Sequence, residues 1–173
     1  MKNKKTVRTL ATAGLIAAMY TALTLCVAPL SYGMVQCRLA EALTVLAAFS
    51  PAAISGLTVG CALSNLIGLS MGANIAGAVD VLVGPLATGL AAWLSWLWRN
   101  KKVGGLPLMS TLPPVVLNAL AVGTELALVA PTFTLEVWLI QMGLVAAGQI
   151  VACVGGGLLL ARGLQLTGID RRL

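Results

Sequence analysis

The chain has no histidine, and only 9% of its 173 residues are charged, against about 25% in a soluble domain. Without imidazole, the commonest metal ligand and general base is missing. Aromatic residues are also scarce, at 5% with two Phe and two Tyr. The apolar mass, 59% of the chain, is therefore mostly Leu, Ala and Val broken by 19 glycines, a composition that suits closely packed membrane helices and excludes a soluble enzyme. Cys26, Cys37, Cys61 and Cys153 show no C-x-x-C spacing and have no histidine to complete a zinc site, so no metal is expected. They read as small packing residues, with a Cys26–Cys37 disulfide on the outer side as the alternative. No G-x-x-x-x-G-K-[ST] loop occurs, so the chain does not hydrolyse a nucleotide itself. No nucleophile stands beside a recognisable base, which argues against an intramembrane enzyme, and no cofactor is expected.

The net charge of +6 is concentrated in three clusters: Lys2, Lys4, Lys5 and Arg8; Arg99, Lys101 and Lys102; Arg162, Arg171 and Arg172. Each flanks an apolar run, as cytoplasmic anchors do under the positive-inside bias. No basic stripe with interleaved aromatics accompanies them, so no nucleic-acid partner is expected.

The apolar runs predict six membrane helices at about 9–28, 38–50, 52–69, 76–98, 107–129 and 136–162. The first is long enough for the roughly 30 Å hydrocarbon core of a bilayer. Its basic start and Cys26-Val27-Ala28 resemble a signal peptide, but Pro29 directly after that site argues against cleavage. The second is short for a span, either tilted or beginning inside the preceding loop. The third carries Gly56-x-x-x-Gly60, which lets a neighbouring backbone approach closely. Trp93, Trp96 and Trp98 precede the Arg99 cluster as an aromatic belt, and Pro113-Pro114 falls in the first turns of the fifth helix. The expectation is one all-α domain over residues 1–173 with both termini and the Arg99–Lys102 loop on the cytoplasmic side.

On that topology Arg38, Glu41, Asp80, Glu125 and Glu136 fall in the outer half, with Asn65, Asn74 and Gln141 at similar depth and Asn118 and Gln149 nearer the midplane. A charge in a membrane helix costs about 2.5–3.5 kcal/mol on insertion scales, so these side chains are expected to line a polar cavity. Simpler readings stand beside this one: Glu136 as a solvated loop residue, and Arg38 with Glu41 as a self-neutralising pair. One cation against four carboxylates repels anions. It favours a cation or a flat molecule rich in N–H donors, which a carboxylate accepts in pairs. Tyr32, Phe133 and Trp138 could stack on such a ring or serve as interfacial anchors.

With no nucleotide loop, the chain is either a stand-alone facilitator or channel for a small cationic or purine-like solute, or a subunit driven by a partner. The first helix favours a partner: Ala13 and Ala17, then Ala18 and Ala22, with Gly14 on the adjoining face, form small-residue stripes on which another helix can pack. Packing within the protein is the other use of those stripes.

The run Tyr32-Gly-Met-Val-Gln-Cys37-Arg38-Leu-Ala40-Glu41-Ala-Leu-Thr-Val-Leu46, with Gly60-Cys-Ala-Leu-Ser-Asn65-Leu, Asp80-Val-Leu-Val-Gly84-Pro-Leu-Ala-Thr88, Pro113-Pro-Val-Val-Leu-Asn118-Ala and Gly123-Thr-Glu125-Leu, resembles the QueT family over nearly the whole chain. These are substrate-binding S components of energy-coupling factor (ECF) uptake transporters, assigned to queuosine precursors. The resemblance implies a multi-pass protein of the bacterial cytoplasmic membrane, loaded from outside. Its partners would be a transmembrane coupling subunit, docked through Ala13 and Ala17 of helix one with Gly14 and Ala18 beside them, and two ATPase subunits. The implied ligand is a 7-deazaguanine, queuine or its aminomethyl precursor, contacted by Arg38, Glu41, Asp80, Asn118, Glu125 and Gln149, with Asn65 and Tyr32 as lesser candidates. Gly148-Gln149 departs from the common Gly-Glu of the family, and Cys37 and Ala40 replace the commoner Phe and Ser.

Overall fold

The computed structural model describes residues 2–33 and 36–171. Met34 and Val35 of the motif before Arg38, and Arg172 of the third basic cluster, lie outside the described residues. Among the described residues all regular structure is helical apart from an isolated bridge between Val103 and Leu106, and five helices are long and apolar enough to cross a membrane.

Helix α1 (Lys2–Cys26) begins earlier than the apolar run, because nothing in its basic start breaks a helix. A single turn, α2 (Ala28–Ser31), follows, with Pro29 in its first positions where a missing N–H costs nothing. The predicted second helix is a 3-10 helix, Leu39–Ala48, of 10 residues. At about 2.0 Å per residue it reaches some 20 Å, one third further than the same residues in an α-helix but still short of a full span. It starts at Arg38, which is extended, and not inside the preceding loop.

Helix α3 (Ala52–Ser70) starts at Pro51, while α4 (Asp80–Leu97) starts four residues later than predicted. There the chain turns first: Asn74 accepts the Ala76 N–H through its side chain at 3.1 Å, and Gly77 takes a left-handed φ of +72°. A 3-10 turn at Leu108–Thr111 leads into α5 (Leu112–Val129), with proline in its opening positions. The last predicted helix is α6 (Leu135–Gln149) and α7 (Gly157–Thr167) joined through a π-helical stretch, Ile150–Gly156.

Neighbours along the chain pack against one another, α3 on α4, α4 on α5 and α5 on α6, with α1 against α3. The 3-10 helix fills the middle, touching α1, α3, α4, α7 and the π-helical stretch. Glycines set the α1–α3 distance. A Cβ on Gly56 would lie 2.7 Å from the Ala13 carbonyl oxygen, and one on Gly60 would lie 2.8 Å from Tyr20 Cβ and 2.9 Å from the Ala17 carbonyl oxygen. The partner that Gly56-x-x-x-Gly60 admits is therefore α1 itself.

Polarity is arranged inside out, as lipid requires. On α4, Leu82, Leu86, Leu90, Trp93 and Leu97 are exposed at helical spacing, whereas Asp80, Gly84, Thr88 and Ser95 are buried. The centre beneath the 3-10 helix is apolar, built on Ile16, Leu43, Leu46 and Leu57; the polar groups gather beside it.

Candidate functional site

Arg38 is the anchor of that polar gathering. Because it sits in extended backbone just before the 3-10 helix, its side chain leaves the helix it introduces and reaches across to α3 and α4. Its Nη2 lies 3.2 Å from Asp80 Oδ2, and its Nη1 donates to Cys61 Sγ at 3.5 Å. The self-neutralising Arg38–Glu41 pair is thus replaced by a pair between distant segments. Asn74 Nδ2 donates to the same Asp80 oxygen at 2.9 Å, and Asn65 Nδ2 donates to the Asp80 backbone carbonyl at 2.6 Å. Gly84, one turn along α4, makes room for this: a Cβ there would meet Asp80 Oδ1 and come within 2.5 Å of Asn65 Nδ2.

Tyr32 is buried, its hydroxyl donating to the Ser64 carbonyl and its ring lying 5.4 Å from the Arg38 guanidinium. Gly68 leaves the space its ring occupies. The tyrosine consequently ties the α2 segment to α3 and backs Arg38 by a cation–π contact. Phe133 is exposed, and the Trp138 indole N–H donates to Thr124 Oγ1 at 2.9 Å.

Glu41 forms a second centre. Its Oε1 accepts from the Tyr20 hydroxyl of α1 and from Thr88 Oγ1 of α4 at 3.2 Å, and Asn118 of α5 faces the same carboxylate. Thr88 and Asn65 also lie within hydrogen-bonding reach of Cys61 Sγ, at 3.5 and 3.7 Å, which makes Cys61 the link between the two centres. On the far side Cys153 donates to Gln149 Oε1 at 3.1 Å and reaches the Glu41 carbonyl at 3.6 Å, while Cys37 donates to the Gly148 carbonyl at 3.5 Å. All four cysteines are free thiols, so the Cys26–Cys37 disulfide does not form: Cys26 lies exposed on α1 while Cys37 turns inward to α6.

The fold thus brings Arg38, Glu41, Asn65, Asp80, Asn118 and Gln149 into one interior, with Tyr32 behind Arg38. Glu125 is buried on the same face of α5 but bonds to none of them, and it borders a groove between α4 and α5. Glu136 is exposed at the start of α6, in keeping with a solvated residue. Sequence reasoning missed Tyr20, Thr88 and the linking role of Cys61. A lone tyrosine in mid-helix was the available signal for the first; the others stood within the motif runs, with nothing in their residue type to single them out.

What the site can do chemically follows from its unmatched atoms. Among the residues just described, the buried acceptors without a partner are Glu41 Oε2, Asn65 Oδ1, Asp80 Oδ1 and both Glu125 oxygens, and the buried unpartnered donor is Arg38 Nε. Buried polar groups left unsatisfied cost about 1–3 kcal/mol each. A molecule offering several N–H groups and one carbonyl would meet that demand. Among the described residues no three His, Cys, Asp or Glu side chains gather as a metal site.

On the first helix, Ala17 is buried against Gly60 and Ala13 is half-buried over Gly56, whereas Gly14, Ala18 and Ala22 are exposed. The two small-residue stripes therefore serve different neighbours: the first belongs to α3, and the second is open.

A family model described as QueT transporter matches residues 10–165. A protein of Lactococcus lactis subsp. cremoris (strain MG1363) named "Queuosine precursor transporter QueT" is 36% identical over 90 residues, 51% of this chain and 48% of that protein. The match therefore spans about half the length of that relative. No solved structure matches.

Proposed function

The chain belongs to the QueT transporter family, and on that premise we propose that it is the solute-binding S component of an ECF uptake transporter, importing a queuosine precursor of the 7-deazaguanine class. The observation that carries this reading is the excess of buried, unpartnered acceptors over donors around one fixed guanidinium. A guanine-like edge presents adjacent N–H donors and one carbonyl oxygen, the complement of that set. Arg38 would donate to the carbonyl, and Glu41, Asp80, Asn65 and Asn118 would take the N–H groups. Gln149 would close the far edge as a neutral amide, and Tyr32 would hold Arg38 in place.

The ligand would enter from the outer side, with the basic clusters facing the cytoplasm of the bacterial cell. ATP hydrolysis would come from two partner ATPases acting through a transmembrane coupling subunit, and the loaded component would topple to exchange outside for inside access. The open stripe Gly14, Ala18 and Ala22 supports docking on α1, with Ala13 and Ala17 setting its distance from α3.

Calorimetric titration of the purified protein with queuine and its precursors tests the ligand, and copurification with a coupling subunit tests the partner. Saturable binding and a stable complex are expected. Solute uptake by vesicles holding this chain alone would replace the reading with that of a facilitator.

A further inference from the structure

The three buried carboxylates differ in what compensates them. Asp80 has the Arg38 guanidinium at 3.2 Å and the Asn74 amide at 2.9 Å. Glu41 has the hydroxyls of Tyr20 and Thr88. Glu125 has nothing: it is 6% exposed, and neither oxygen has a hydrogen-bond partner. Among the described residues the one ion pair is spent on Asp80, so Glu125 has no cation at ion-pair distance. A carboxylate in that condition is strongly unfavourable unless something else brings charge or protons to it.

Its surroundings indicate what that is. Glu125 borders an open groove of about 470 Å³ between α4 and α5, walled by Val83, Ala87 and Leu117 and, on its outer side, by the exposed Val79, Leu120 and Leu128. It shares a buried face of α5 with Asn118, seven residues and so roughly 10 Å of rise away. Asn118 in turn faces Glu41, and Glu125 lies within Coulombic reach of Asp80 and Arg38. The unpartnered carboxylate therefore lies about two helical turns along α5 from the residue that faces Glu41, with an apolar groove on its flank.

We infer that Glu125 is the specificity-determining residue for a cationic arm on the ligand: the Arg38–Glu41–Asp80 centre reads the edge of the base, and Glu125 reads an ammonium on a short substituent whose carbons pack into the α4–α5 groove. This rests on the 7-deazaguanine reading above. An ammonium gives Glu125 both a charge and N–H donors. A neutral arm leaves the carboxylate buried and unpaired, so discrimination comes as much from rejecting the neutral ligand as from holding the charged one.

The test uses two ligands with the same ring, 7-aminomethyl-7-deazaguanine and 7-cyano-7-deazaguanine, titrated into the full chain in lipid nanodiscs. The wild type is expected to prefer the amine by roughly tenfold or more, and Glu125→Gln to bring the two within about twofold by weakening the amine and strengthening the nitrile. Retained binding of the nitrile shows that the variant is folded. If Glu125→Gln binds neither base, Glu125→Asp, which keeps the charge, must still prefer the amine. Equal affinities in the wild type, an undiminished preference in Glu125→Gln, or a lost preference in Glu125→Asp overturns the assignment and leaves the transport reading standing. A wild type that binds neither base overturns both.

Discussion

Arg38 and Asp80 are separated by 42 positions in the chain and by 3.2 Å in the fold, with both side chains almost wholly buried. Breaking such a pair from one side leaves a buried charge behind, at a cost of about 3–5 kcal/mol. Asp80→Asn should therefore lower the melting temperature sharply in detergent, and Arg38→Met combined with Asp80→Asn should recover part of the loss. Glu41→Gln is a different kind of change. The amide oxygen still accepts from Tyr20 and Thr88, so the fold should hold, while ligand affinity falls by more than tenfold, about 1.4 kcal/mol, as read by titration. Tyr20→Phe removes one of those donors and should cost about 1–3 kcal/mol in stability, with a smaller effect on affinity. At this scale the sequence announced its ionised residues, since charge inside an apolar run is conspicuous. It did not announce Thr88 or Cys61: a threonine or cysteine is unremarkable in a membrane helix, and only the convergence of Arg38, Asn65 and Thr88 on one sulfur reveals the role.

Elements were legible where composition changes along the chain and illegible where only the hydrogen-bond pattern changes. The long helices follow from runs of apolar residues with glycine, proline or basic ends, as at Pro51 and the Arg99 cluster. The 3-10 form of Leu39–Ala48 and the π-helical stretch Ile150–Gly156 left no such trace, because segments of ten and seven mostly apolar residues are too short and too uniform for periodicity to separate one winding from another. The G-x-x-x-G pattern was readable, but its neighbour was not. Now that α1 is known to lie across it, Gly60→Ala becomes a sharp probe. The new methyl would sit 2.8 Å from Tyr20 Cβ, so the helices must part and draw the Tyr20 hydroxyl from Glu41. A loss of about 1–3 kcal/mol in thermal stability, with weakened ligand binding, is the expected result.

For the whole molecule, the proposed S-component reading would have the two stripes of α1 separate folding from assembly. Gly14→Leu with Ala18→Leu enlarges only the open face, so ligand titration should be unchanged while copurification with the coupling subunit is lost. Ala17→Leu should instead destabilise the isolated protein, since Ala17 is buried against Gly60. The central placement of the short 3-10 helix also bears on how the protein is made. Ten residues carrying Glu41 and preceded by Arg38 do not partition into lipid unaided. Tyr20 has already emerged from the ribosome when this segment appears, but Thr88 and Asp80 have not. Residues 38–48 must wait at the water boundary or in the insertion machinery until α4 is synthesised, and enter the bilayer together with it.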